Sequence, residues 1–207
     1  MGGFERGVLA FFLLVVVGAL VAELVQDYTP AKLSVLFFLL AWAPLLALHE
    51  AGHALAAWMC GWRVRRVVIG YGGALWRFRV GGVPVQVGRL PLGGFVQLAP
   101  RHLRQVRVRS AFIYFMGPGI ELALVAAIAL VVGPQTLLAR SLSVPTIALQ
   151  AFAVAALLGA GTNLLPRLAR KDDALVGART PSDGMGIILS FVWPRRVFEQ
   201  QLRDADD

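Results

Sequence analysis

Cysteine is almost missing. Cys60 stands alone in 207 residues, which excludes an internal disulfide and any four-cysteine zinc site. At the end of an apolar stretch it reads as a small buried hydrophobe. Charge is scarce as well. Only 15% of the residues are charged and 57% are hydrophobic, against about a quarter charged in ordinary soluble domains. Lipid is therefore the expected solvent. Such charge as there is leans one way, with 20 Lys and Arg against 12 Asp and Glu, a formal +8. A basic chain suits nucleic acid or an anionic membrane surface. The arginines here lie between apolar stretches, so the reading is a membrane lipid environment and no nucleic-acid partner. Internal repeats and low-complexity linkers are absent, and histidine occurs only at His49, His53 and His102.

What is present is a set of long apolar runs. A membrane helix needs about 20 mostly apolar residues, and four segments qualify: 8–25, 33–60, 110–132 and 144–165. A fifth run, Met185 to Trp193, is too short to cross and reads as a re-entrant or interfacial half-helix. The expected fold class is an all-α multi-pass membrane protein, one membrane-embedded domain over 1–207. The first run reads as an uncleaved anchor, because Glu5 offsets Arg6 and no small-x-small cleavage site follows. Basic residues set the orientation. Ten arginines crowd the loop 61–109, and eighteen of the 20 basic residues fall on that side; only Lys32 and Arg140 fall on the other. Both termini and the loop are expected in the cytoplasm.

The loop 61–109 has structure of its own. Trp76, Phe78 and Val80 alternate with Arg77 and Arg79; after Gly81-Gly82, Val83, Val85 and Val87 alternate with Pro84 and Gln86. Two alternating runs joined by two glycines predict a β-hairpin. Pro84 cannot donate to a ladder, so its strand is expected at an edge, or Pro84 is expected to face outward. An exposed edge can receive an extended peptide.

The chemistry sits in the second apolar run. His49 and His53 are four residues apart, so on a helix they share a face and can hold one metal ion. Glu50 lies one step round, placed to take a proton from a water at the metal without being a ligand. Three ionisable groups in five residues of an apolar helix are costly in lipid and mark a function. A zinc site needs a third ligand and an open position. His102, Asp172 and Asp173 lie in charged, solvated stretches. Two carboxylates remain in contention. Asp183 precedes Gly184 at the start of the half-helix. Glu121 lies about eleven residues into the third run, ~16 Å deep and level with the histidines.

These features together resemble the site-2 protease family of intramembrane zinc metalloproteases. His49-Glu50-Ala51-Gly52-His53 fits its HExGH form. Leu90-Pro91-Leu92-Gly93-Gly94-Phe95-Val96 is similar to its membrane-associated hairpin segment, Gly117-Pro118 to its GP pair, and Asn163-Leu164-Leu165-Pro166 with Ser182-Asp183-Gly184 to its N-x-x-P and D-G elements. The order is right, and the likeness runs from about Ala43 to Leu189. It implies one Zn²⁺, held by His49, His53 and Asp183, with Glu50 as base. It implies that Asn163 holds the substrate, and that the hairpin, through Gly93, Gly94, Val85 and Val87, pairs with it as an added strand. Glu121 matches no ligand position and would stand behind a histidine. Two departures stand out: Glu121 replaces an Asn frequent in the family, and sixteen residues separate Pro166 from Asp183. About ten residues join the third and fourth runs, too few for a PDZ-like insert.

The resulting expectation is an endopeptidase of a bacterial plasma membrane that cuts transmembrane protein substrates near the cytosolic side. A regulatory membrane partner or a homo-oligomer would be compatible with it. A silent adaptor that binds transmembrane segments is the alternative, against which the intact Glu50 speaks. A metal transporter would need a polar path across the whole bilayer, and the outer halves of the runs show little of one.

Overall fold

The computed structural model describes residues 15, 17–19, 21–168 and 181–203. Of the expected first span, only helical residues 15, 17–19 and 21–25 are described, and the rest lies outside the described residues. A single turn, Pro30–Lys32, leads into helix α1, Leu33–Met59. Next come strands β1 (Arg63–Val80) and β2 (Val83–Ala99), then helices α2 (Val106–Val132), α3 (Pro134–Leu138), α4 (Val144–Leu164), α5 (Asp183–Val192) and α6 (Arg195–Arg203).

Three of these helices are long and apolar enough to cross a membrane: Pro30–Met59, Val106–Val132 and Val144–Leu164. At ~1.5 Å per residue, even the 21 residues of α4 reach about 30 Å, the thickness of a hydrocarbon core. Their outward faces are apolar, as at Leu39 and Leu40 of α1 and Leu130 and Val131 of α2, the last two more than 80% exposed. Their inward faces are small. Ala41 and Leu45 of α1 pack on Ala155 and Ala156 of α4, with Phe38, Leu124, Val125 and Phe152 around them. With no water to expel between helices, close approach of small residues is what holds such a bundle. At Gly52 the approach is close: a β-carbon there would run into the Met116 backbone carbonyl and lie 3.1 Å from Ile120 Cγ2. Helix α2 begins at Val106 rather than at 110. Arginine stems can lie along the helix while their charges stay in water, so the helix projects past the apolar run, and Arg109 Nη1 donates to Cys60 O at the end of α1, 3.0 Å away.

A second cluster closes the hairpin end of the bundle. Ala56, Ala57, Trp62, Val106, Ile113 and Phe198 are buried together, with Leu98 and Trp193 against them. Phe198, 1% exposed, is the anchor that seats α6.

The two strands pair antiparallel, and the turn between them is Gly81-Gly82, φ 55° and 84°, the left-handed pair that a tight two-residue turn requires. Val80 faces Val83, Phe78 faces Val85 and Trp76 faces Val87. Beyond that the strands bend. Gly70 and Gly72 take φ near 82° and 81°, and Gly88 lies so close to the Gly70–Tyr71 backbone that a β-carbon there would sit 2.7 Å from Gly70 C. The bend gives Val67, Val68 and Ile69 two sets of partners: Val96, Phe95 and Gly94 on one side, and Val85, Gln86 and Val87 on the other.

This corrects the expected edge. Val85 and Val87 are paired on both sides, by residues 67–69 and by residues 76–78, and Val85 is buried. Pro84 is tolerated because its one partner is Arg79; the second ladder begins at Val85. The one-sided segment next to the helices is instead 94–99, which pairs only with β1 among the described residues.

The described ends of the sixteen-residue stretch between Pro166 and Asp183 are tied together. Ser182 N donates to Arg167 O (3.1 Å), Arg167 N donates to Ser182 Oγ (2.9 Å), and Ser182 Oγ donates to Leu165 O (2.8 Å). Ser182 is also the N-cap of α5, so the chain leaves the end of α4 and returns to the same place. Residues 169–180, with Asp172 and Asp173, lie outside the described residues.

Candidate metal centre

Helix α1 turns His49, Glu50 and His53 inward, all 8% exposed or less. Helix α2 runs beside them with Gly117 at closest approach. A β-carbon at Gly117 would lie 2.7 Å from His49 Nε2 and closer still to His53 Nε2, so only glycine lets the imidazoles lie flat on this helix. Helix α5 brings Asp183 from the third side. Its Oδ2 lies 2.9 Å from His49 Nε2, and its Oδ1 lies 3.2 Å from His53 Nε2; the two Nε2 atoms are 3.2 Å apart. Gly184 permits that entry, since a β-carbon would overlap the Leu164 carbonyl at the end of α4.

The ring nitrogens facing away from this point are also oriented. His53 Nδ1 is 2.7 Å from Ile113 O. A carbonyl can only accept, so His53 carries its proton on Nδ1 and turns the Nε2 lone pair toward Asp183. His49 Nδ1 lies 3.3 Å from Glu121 Oε2. The two atoms are close but not aligned as a formed hydrogen bond, and both are buried with no other partner among the described residues. Glu121 is 3% exposed, and Gly159 of α4 leaves it room.

These residues fit a metal ion. One donor atom each from His49, His53 and Asp183 lies within 4.8 Å of the others. A tetrahedral shell with bonds near 2.0–2.1 Å would set its donors about 3.3–3.4 Å apart, close to the spacings found. Charge points the same way. Three carboxylates, Glu50, Glu121 and Asp183, converge among apolar helices, where uncompensated charge is costly, and a divalent cation would offset most of it. Glu50 Oε2 is buried without a hydrogen-bond partner among the described residues, as suits a group that works on a solvent molecule.

All this lines a cavity of about 920 Å³. Its deep end is apolar, with Trp42, Leu45 and Ala155; its hairpin end includes Trp62, Arg167, Trp193 and Gln201. Gly93, Gly94 and Asn163 line it too, whereas Val85 and Val87 do not. Gly94 is near enough that a β-carbon there would lie 2.7 Å from Glu50 Oε1. His102 is apart from the cavity, exposed beside Arg109. Sequence reasoning missed Tyr114, Trp193 and Gln201, which also line the cavity. Tyr114 had a signal, since it lies one turn before Gly117 on the same helix face. Gln201 had none, because it is brought in by the packing of α6.

The profile of peptidase family M50 matches residues 37–194, and the chain belongs to that family. It is 35% identical over 117 residues to the zinc metalloprotease Rip1 of Mycobacterium tuberculosis, covering 48% of this chain and 29% of that protein. It is 42% identical over 62 residues to the regulator of sigma E protease of Haemophilus influenzae, covering 30% and 14%, and 41% identical over 54 residues to a putative zinc metalloprotease of Helicobacter pylori, covering 26% and 15%. The chain thus aligns with less than a third of the length of each of these bacterial relatives.

Proposed function

We propose that this chain is an intramembrane zinc endopeptidase that hydrolyses peptide bonds of membrane-spanning substrates near the cytosolic face. The observation that carries the reading is the convergence of two imidazole Nε2 atoms and the Asp183 carboxylate beside a buried, unpaired Glu50, in a cavity walled by membrane-length helices. Zinc would be held by His49, His53 and Asp183, and when bound it supplies a Lewis acid that polarises a carbonyl and acidifies water. Glu50 takes one proton from the attacking water as the water oxygen adds to the scissile carbonyl carbon. The same carboxyl then delivers that proton to the departing amine nitrogen, so the base is regenerated with each bond cut. Glu121 holds the His49 ring in its working tautomer, as carboxylates behind metal-binding histidines do.

A helix hides its carbonyls in its own hydrogen bonds, so the substrate must be unwound at the cut. The free edge at Gly93, Gly94 and the following residues of β2 lies against Glu50 and would pair with that extended segment. Asn163 faces the same cavity and would hold the substrate backbone. Sidedness rests on the basic residues of the hairpin loop.

The test is Glu50→Gln. The amide keeps the shape and both imidazoles but cannot accept the proton. Metal content should stay at the wild-type level, and cleavage of a co-expressed single-span protein should disappear. Cleavage at the wild-type rate by the variant would sink the mechanism.

A further inference from the structure

We propose that Tyr114 is a catalytic residue whose phenolic O–H donates a hydrogen bond to the scissile carbonyl oxygen as negative charge builds there. The inference rests on the protease reading above. Tyr114 and Gly117 are three residues apart on α2 and so share one face. That face meets both imidazoles at Gly117, which puts Tyr114 one turn, about 5 Å, nearer the hairpin end than the metal ligands. The ring is clamped from the other side. A β-carbon on Gly186 would lie 2.6 Å from Tyr114 Cγ, and Gly186 is three residues after Asp183 on α5. One face of α5 thus carries the ligand to the histidines and the flat surface on which the tyrosine rests.

Tyr114 lines the cavity, and its side chain makes no hydrogen bond to any described residue. Two other polar groups of the cavity are engaged in the fold: Ser182 Oγ donates to Leu165 O at 2.8 Å, and Arg167 donates to Thr162 O at 3.1 Å. A rigid aromatic stem one turn from the ligand set, held on Gly186 and ending in a donor with no partner among the described residues, suits stabilisation of a developing oxyanion without reorganisation.

Tyr114→Phe removes the hydroxyl and keeps the ring on Gly186. The full chain, purified and reconstituted with zinc and a single-span substrate, should keep its zinc and its KM while kcat falls by ~10²-fold, the usual cost of one oxyanion donor. In the Glu50→Gln background, adding Tyr114→Phe should leave substrate affinity unchanged. A kcat close to wild type, a loss of zinc, or a change confined to KM would overturn the assignment. Failure of the wild type itself to cut any such substrate would sink the protease reading and this inference together, whereas cutting by the wild type with Tyr114→Phe at full kcat sinks the inference alone.

Discussion

Gly117→Ala is the most direct probe of the centre, because the structure states what one methyl group would meet. The added carbon would stand 2.7 Å from His49 Nε2, where ordinary contact begins at 3.4 Å. The His49 ring must therefore withdraw by about 0.7 Å, and the His53 ring, which is nearer, by more. Alternatively α2 must retreat from α1 and give up the close packing of the Met116 backbone on Gly52. His53 is held from behind by its hydrogen bond to Ile113 O, and His49 has Glu121 close behind it at 3.3 Å, so neither ring has free room to withdraw. Overpacking of this kind costs about 1–3 kcal/mol in a tight interior. It acts directly on the donor atoms, so the loss should appear as metal affinity, of at least the 10–100-fold seen when the groups behind metal ligands are removed. The assay is zinc content of purified protein against graded chelator. Gly161→Ala is the control, since a β-carbon there meets nothing within 4 Å. Wild-type zinc affinity in Gly117→Ala would refute the placement of α2 against the histidines.

Three further outcomes follow from the same geometry. Asp183→Ala should lose most bound zinc and all cleavage, while Glu121→Gln should keep much of its zinc, with affinity reduced ~10-fold or more; the reverse pattern would make Glu121 the ligand. Gly94→Ala puts a β-carbon 2.7 Å from Glu50 Oε1, so kcat should fall at least ~10-fold with zinc content unchanged, and an unaffected kcat would remove the hairpin edge from the site. A reporter fused after Asp207 should read as cytoplasmic and one inserted near Gln135 as external, and cytoplasmic labelling at Gln135 would overturn the proposed orientation.

The hairpin shows where sequence reasoning stopped. Alternating residues and Gly81-Gly82 locate the turn, because that signal is local. They do not reveal that Gly70, Gly72 and Gly88 bend the ribbon until residues 67–69 carry partners on both sides. Which strand keeps a free edge is a property of the whole sheet, and the edge fell at Gly94–Ala99 instead of Val83–Val87. The gap between Pro166 and Asp183 is similar. Its length in sequence looked like a threat to the geometry, yet Ser182 ties both ends to one point. Bringing two ends together costs little more for a long connection than for a short one, since closure entropy grows only with the logarithm of length.

The sequence by itself determined the solvent, the helices that meet it and the metal motif. Hydropathy over 20 residues and an i, i+4 pair of histidines need only local periodicity to be read. Depth alone left Glu121 and Asp183 as rivals, because depth along one helix says nothing about the distance to another, and the family resemblance favoured Asp183. The tertiary structure supplies the distances: α5 returns beside α4 and points the Asp183 carboxylate at both Nε2 atoms, while Glu121 lies behind His49 at Nδ1. That choice depends on how closely three helices approach, and glycines 52, 117 and 184 set the approach. What each glycine admits is known only once the neighbouring backbone is in place.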